Sequence, residues 1–276
     1  MSPEVELELP LLEHLIELRR RAIVSLVAAS LGTLAAMGLA DPLYALLTAP
    51  VRVLLTDAPS YPLDRWYLAL TAWMPDSLHV DKMPGTLAIT SSPTEGVYTW
   101  FQVVLVGGLL LASPVIAHQA WAFVAPGLYR TERRVVLPLA LASSALFALG
   151  AFFAYAVLLP VALPFFLTIL KADAILSVSG YLQSTVRMMA AFGLTFQLPV
   201  AAWFLARIGL IDHSDLMAGF RYAVVVLFFI AALITPPDVV TQAILGVPLV
   251  FLYLISIGVA WVSTTKVRRA GPAPAR

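Results

Sequence analysis

VVLPLALASSALFALGAFFAYAVLL, residues 135–159, contains no charged residue. As a helix it would cover ~37 Å at 1.5 Å per residue, enough to cross the ~30 Å hydrocarbon core of a bilayer. A helix that is apolar all round belongs inside a large core or inside a membrane. The rest of the chain decides between these. Hydrophobic residues make up 61% of it and charged residues 12%, against roughly 25% charged in a soluble domain. The few charges are clustered, so there is too little polar surface to coat one soluble core. Residues 135–159 are therefore read as one membrane span among several.

Working outward from this span, Arg133 and Arg134 close it on one side, and Pro160, Pro164, Lys171 and Asp173 mark the exit on the other. Upstream, Ala22–Ala40 reads as the first span and Gly96–Ala117 as the second. Downstream, Leu182–Leu205, Tyr222–Thr235 and Val239–Val262 read as the fourth, fifth and sixth. The expectation is an all-α polytopic protein of six transmembrane helices forming a single domain. Spans five and six are expected to be short, and Pro248 to interrupt the sixth. Tyr222–Thr235 would reach only ~21 Å, and such a span must thin the bilayer or shelter against neighbours.

Residues 41–94 are polar and proline-rich, too broken to cross the bilayer, and read as a long extramembrane loop with short helices. Residues 119–134 form a basic loop, 207–219 a polar one, and 263–276 a basic tail. Lysine and arginine sort unevenly: twelve of the 17 fall at the two chain ends and in the loops 119–134 and 207–221. Five (Arg52, Arg65, Lys82, Lys171 and Arg187) fall on the opposite side. The basic side faces the cytoplasm, so both termini are expected inside. Ala22–Ala40 is longer than the ~7–15-residue core of a cleaved signal peptide and follows a glutamate-rich segment, so it reads as a retained span.

A net charge of +1 gives no basic field for nucleic acid, and the absence of cysteine excludes disulfides and thiolate chemistry. His14, His79, His118 and His213 are not spaced as a metal pair, and each reads as an interfacial polar residue. No phosphate loop, metal-protease motif or nucleophile elbow occurs. The chain is expected to be non-enzymatic, with no cofactor and no metal.

The segment before span one is an amphipathic helix, with Leu11, Leu15 and Leu18 on one stripe. Glu17 and Arg21 are spaced for a favourable i, i+4 pair, whereas Glu13 and Glu17 form a like-charge pair that costs a few tenths of a kcal/mol. A cationic ligand would account for the acidic pair; a solvated interfacial face is the other reading. Leu12-Glu13-His14-Leu15-Ile16-Glu17-Leu18-Arg19-Arg20-Arg21 resembles the amino-terminal HLxELRxR signature of the TatC family, the signal-receptor subunit of the twin-arginine protein translocase. Four further segments resemble that family and run in its order. They are Ser92-Pro93-Thr94-Glu95; Trp121-Ala122-Phe123-Val124-Ala125-Pro126-Gly127-Leu128-Tyr129-Arg130-Thr131-Glu132-Arg133-Arg134; Ala191-Phe192-Gly193-Leu194-Thr195-Phe196-Gln197-Leu198-Pro199; and Thr235-Pro236-Pro237-Asp238 followed by Gln242.

The resemblance implies roles. Glu17 and Glu132 would receive the arginine pair of a signal peptide, for which the planar guanidinium fork suits a carboxylate; Glu132 could instead pair with Arg130, Arg133 or Arg134. Phe123 would lie by the signal site, and Arg19 would orient the helix or Glu17. Pro50 would shape a periplasmic cap, and Asp238 the last periplasmic turn. Gln197 departs from the family, many members of which carry glutamate there; glutamine cannot titrate, so it would make an uncharged contact inside the membrane. The implied partners are twin-arginine signal peptides of folded precursors, TatA- and TatB-like single-span subunits, membrane lipids and further copies of the chain. The implied place is the cytoplasmic (inner) membrane, with transport driven by the proton-motive force. The alternative, an ion-coupled small-molecule secondary transporter, would need ionisable groups within the spans, which are nearly free of them.

Overall fold

The computed structural model describes residues 3–55, 62–72, 88–89, 93–124, 136–163, 176–234 and 239–269. Its helices are α1 (Pro3–Met37), α2 (Ala40–Leu55), α3 (Pro62–Thr71), α4 (Pro93–Val124), α5 (Val136–Phe153), α6 (Val178–Thr195), α7 (Leu198–Arg207), α8 (His213–Ile234) and α9 (Val239–Arg269). Two short strands, β1 (Ala88–Ile89) and β2 (Leu176–Ser177), pair in parallel, with Ala88 opposite Leu176 and Ile89 opposite Ser177. Among the described residues, six stretches are long and apolar enough to cross a membrane: His14–Met37, Thr94–Phe123, Val136–Leu163, Val178–Arg207, His213–Leu233 and Gln242–Ser263. The all-helical, six-span expectation holds, with this two-residue β pairing as its one exception among the described residues.

Several boundaries move. The amphipathic segment and span one are one continuous helix, α1. The segment 41–94, read as a loop, carries α2 and α3. Span three continues past Pro160 to Leu163. Span four is broken into α6 and α7 at Phe196–Gln197, one turn before Pro199, which lacks the N–H a continuous ladder needs. Spans five and six are the two shortest, at 21 and 22 residues, but the fifth begins nine residues earlier than its apolar run suggests. Pro248 lies inside an unbroken α9.

The early start of α8 has a local cause. After α7, Gly209 adopts φ +73°, which glycine reaches without a Cβ penalty. Leu210 N–H then donates to Leu205 O at 3.0 Å and Gly209 N–H to Ala206 O at 3.2 Å, the paired bonds of a Schellman cap. Three residues on, the Asp215 carboxylate accepts from Asp212 N–H at 2.8 Å, the reciprocal half of a capping box. Two caps thus leave only residues 208–212 as loop.

The chain divides into two compact units, Met1–Ala40 with Val104–Ala145, and Asp41–Val103 with Leu146–Arg276. In the first, α1 and α4 cross with backbones in contact: a Cβ on Gly32 would lie 2.4 Å from Gly108 O, and one on Gly108 2.4 Å from Thr33 Cα. Such small-residue crossings are how membrane helices approach closely. Between α4 and α5, Ser113 Oγ pairs with Ser144 Oγ at 2.8 Å and Trp121 Nε1–H donates to Ser143 Oγ at 2.7 Å.

In the second unit, α9 packs on α7 and α8, with Ala202, Ala206 and Ala260 meeting in a small-residue seam. Glycines and phenylalanines interlock α5 with α6: Gly150 leaves room for Phe196, and Gly193 leaves room for Phe147. Phe153 lies 6.0 Å from Phe192 and 5.9 Å from Phe196, ring centre to ring centre.

Candidate functional site

Glu17 lies on α1, where Arg21, one turn on, donates to its Oε1 from Nε at 3.0 Å and from Nη2 at 2.5 Å. The expected i, i+4 pair is therefore present. Both donors use one oxygen, and among the described residues nothing donates to Oε2. The Glu17 side chain is about one-third exposed, at 33%, so this second oxygen can be approached from outside. His14, three residues earlier and on the same helix face, stacks on Phe123 at the end of α4, with ring centroids 4.4 Å apart and planes 29° apart. The stack ties the acidic face of α1 to the aromatic that ends span two. Arg19 is exposed and two positions from Glu17, about 200° around the helix, so the guanidinium on Glu17 is that of Arg21.

Pro50 is fully buried inside α2. A helical proline offers no N–H to the carbonyl four residues back and its ring crowds that turn. Here that carbonyl is Leu46 O, and the Tyr155 hydroxyl of span three donates to it at 2.6 Å. The neighbouring carbonyls are also occupied. Tyr181 OH of α6 donates to Leu47 O at 3.0 Å, and Arg52 Nη2 donates to Ala45 O at 2.6 Å. Arg52 is held in turn by Asp64 of α3, through Nη2 at 2.8 Å and Nε at 3.2 Å, and its Nη1 donates to Thr48 Oγ1 at 2.7 Å. Asp64 is only 1% exposed, and a buried charge of this kind persists when it is both paired and hydrogen-bonded. Tyr155 sits in a π turn, Ala154–Leu158, a local widening common where a helix aims a particular side chain. Tyr67 of α3 meets Tyr155 edge-on at 5.8 Å. Burial, with Tyr155 alongside, pushes the Tyr67 phenol well above its usual value, so it stays neutral.

Gln197 stands at the break between α6 and α7, and its Nε2 donates to Gly193 O in the last turn of α6 at 3.3 Å. Glu132 and Asp238 lie outside the described residues. Among the expected site residues, then, Glu17 and Phe123 fall in one corner of the first unit with His14 between them, while Pro50 and Gln197 belong to the second unit. Sequence reasoning read His14 as an interfacial polar residue with no site role, and passed over Tyr155, Tyr181 and the Arg52–Asp64 pair. A proline within a helix does announce a carbonyl in need of a donor, and that is the signal which points to the tyrosines.

The family model for "Sec-independent protein translocase protein (TatC)" matches residues 13–248. The Sec-independent protein translocase protein TatC of Aquifex aeolicus is 36% identical over 262 residues, covering 94% of this chain and 97% of the relative. That of Helicobacter pylori strain J99 is 43% identical over 179 residues, covering 64% and 71%. A crystal structure of the twin arginine translocase receptor TatC superposes with a TM-score of 0.72 at 35% identity, covering 91% of this chain and 99% of the other. Its counterpart in DDM gives 0.73. Helix order, six spans and these matches agree: the chain belongs to the TatC family of Sec-independent protein translocase proteins.

Proposed function

We propose that this multi-pass translocase subunit reads the twin-arginine signal of folded precursors at the corner formed by α1 and the end of α4. The observation that carries the reading is the state of Glu17. Its Oε1 is taken by Arg21, its Oε2 is open, and His14 stacked on Phe123 lines the same face. An incoming guanidinium can bind Oε2 directly or displace Arg21. Glu132, in the loop that follows Phe123, supplies the second carboxylate. Arg19, on the far side of α1, anchors the helix among lipid headgroups.

In this reading both termini and the 119–134 loop face the cytoplasm, in accord with twelve basic residues on that side against Arg52, Arg65, Lys82 and Lys171 outside the spans on the other. The protein resides in the inner membrane. Residues 41–94, with α2 and α3, form a periplasmic cap shaped by Pro50, and Asp238 serves the last periplasmic turn. Gln197 gives an uncharged intramembrane contact. TatA- and TatB-like single-span subunits and further copies of the chain complete the assembly, and the proton-motive force drives transport. The small-molecule transporter alternative is not favoured by the family match.

The test is binding of a fluorescent twin-arginine peptide, and its twin-lysine counterpart, to the full chain in nanodiscs. Hydrogen bonds to charged groups contribute ~1.5–3 kcal/mol, so Glu17→Gln should weaken the arginine peptide by about tenfold or more and leave the lysine peptide little changed. Equal affinity of the two peptides for the native chain would remove the receptor assignment.

A further inference from the structure

The exposed faces of the spans are not alike. On α8, Met217, Tyr222, Val225, Val226, Phe229 and Leu233 are exposed, all of them large and mostly apolar. On α1, Leu26, Leu31 and Leu34 are exposed in the same way. These faces suit acyl chains. The exposed face of α6 does not. Within about 60° of one line along the helix lie Gly180, Gln183, Ser184, Arg187, Ala190, Ala191 and Leu194, all exposed or half-buried. Leu194 is the only large apolar residue among them. The opposite face, with Leu182, Thr185, Met188, Met189 and Phe192, is buried in the protein.

Arg187 is exposed at the middle of this helix, about 13 Å along the axis from Val178 at 1.5 Å per residue. Among the described residues no carboxylate pairs with it. A charged side chain within a span ordinarily faces other protein or a water-filled cavity and has a partner. Of the residues beside it, Ser184, Ala190 and Ala191 are small and Gln183 is polar; small residues let a second helix backbone come close, a property that lipid contact does not require. Ser184 has turned its hydroxyl back to Gly180 O at 3.0 Å, which leaves the guanidinium as the strong unmatched donor of the face.

We propose that this face of α6 receives a membrane-spanning helix of a partner subunit, and that Arg187 selects a partner bearing a carboxylate at matching depth. The proposal rests on the reading of the chain as a translocase subunit with membrane partners, and it names the chemistry of one of them. Ala190 and Ala191 set the close approach. Arg187 supplies a bidentate donor, and the planar guanidinium makes arginine rather than a neutral donor the specificity element. Gln197, at the break between α6 and α7, adds no charge to this discrimination.

The test uses the full chain in nanodiscs and a synthetic Leu/Ala membrane-spanning helix carrying a single Asp, with Asn and Lys versions as controls. Binding is read by energy transfer from a dye on the helix. The Asp helix should bind the native chain about tenfold more tightly than the Asn or Lys helix. Arg187→Leu should erase that preference, Arg187→Lys should keep part of it, and Ala191→Leu should weaken all three helices alike. Equal binding of the three helices to the native chain overturns the proposal, as does a preference that survives Arg187→Leu. A lipid phosphate on Arg187 is the other outcome. It would appear as an Asp preference in zwitterionic discs that vanishes in phosphatidylglycerol discs, and it too overturns the assignment to a helix. The twin-arginine peptide is measured in the same discs. Its failure to bind the native chain counts against the receptor corner alone, whereas retention of its binding by Arg187→Leu shows that the loss at α6 is local.

Discussion

Glu17 holds its internal partner Arg21 through a single oxygen, and His14, three residues earlier on the same face, has its ring stacked on Phe123. Stacked aromatic pairs contribute ~0.5–1.5 kcal/mol beyond burial, so His14→Ala should weaken signal-peptide binding about two- to tenfold while His14→Phe retains most of it. A peptide titration of the two variants side by side checks this; equal losses would show that the ring plays no part. Gln197 gives a contrasting case. Its amide is bound to Gly193 O, one turn earlier in the same span, and an amide does not ionise at ordinary pH. Gln197→Ala should therefore reduce transport or partner contact without moving the pH profile of transport in membrane vesicles. A displaced profile would contradict this account. The Glu17–Arg21 pair was legible from spacing alone, since i, i+4 neighbours on a helix must meet. The His14–Phe123 stack was not, because it joins two helices whose relation no local pattern records.

At the scale of elements, α2 is a helix completed by other helices. Pro50 leaves Leu46 O without a backbone donor, and Tyr155 and Tyr181 reach in from spans three and four to occupy Leu46 O and Leu47 O. Removing one hydroxyl should orphan a buried carbonyl, at a cost of ~1–3 kcal/mol. Tyr155→Phe is expected to lower the unfolding temperature of the detergent-solubilised protein. Pro50→Ala restores an N–H at position 50 and should reduce that loss in the double variant. Additive losses, measured as a double-mutant cycle, would sink the assignment. The sequence shows the proline but not its partners, which lie 109 and 134 residues from the carbonyls they bind. The start of α8 was missed for a different reason. Its first turns carry His213, Asp215 and Arg221, so the apolar run begins late, yet Gly209 and the Asp212/Asp215 pair mark both helix ends.

For the whole molecule, the number and order of spans followed from the absence of charge over long runs, a property that survives errors at every boundary. The packing within each unit rests on shape: Gly32 against Gly108, and Gly193 against Phe147. Such contacts depend on which faces meet, and composition is silent on that. One of them has a mechanical consequence. α1 carries Glu17 and all of span one without a break, and it touches α4 backbone-to-backbone at Gly32. It is a rigid lever with its fulcrum about 22 Å from Glu17 and about 8 Å from Met37, at 1.5 Å per residue. A tug on a docked signal should tilt the far end in the opposite sense, reduced about threefold by the ratio of those arms. A hinge placed between the load and the fulcrum, as in Ser25→Pro, should leave signal binding intact and abolish transport, because the motion would be spent in the bend before it reached the other side of the membrane.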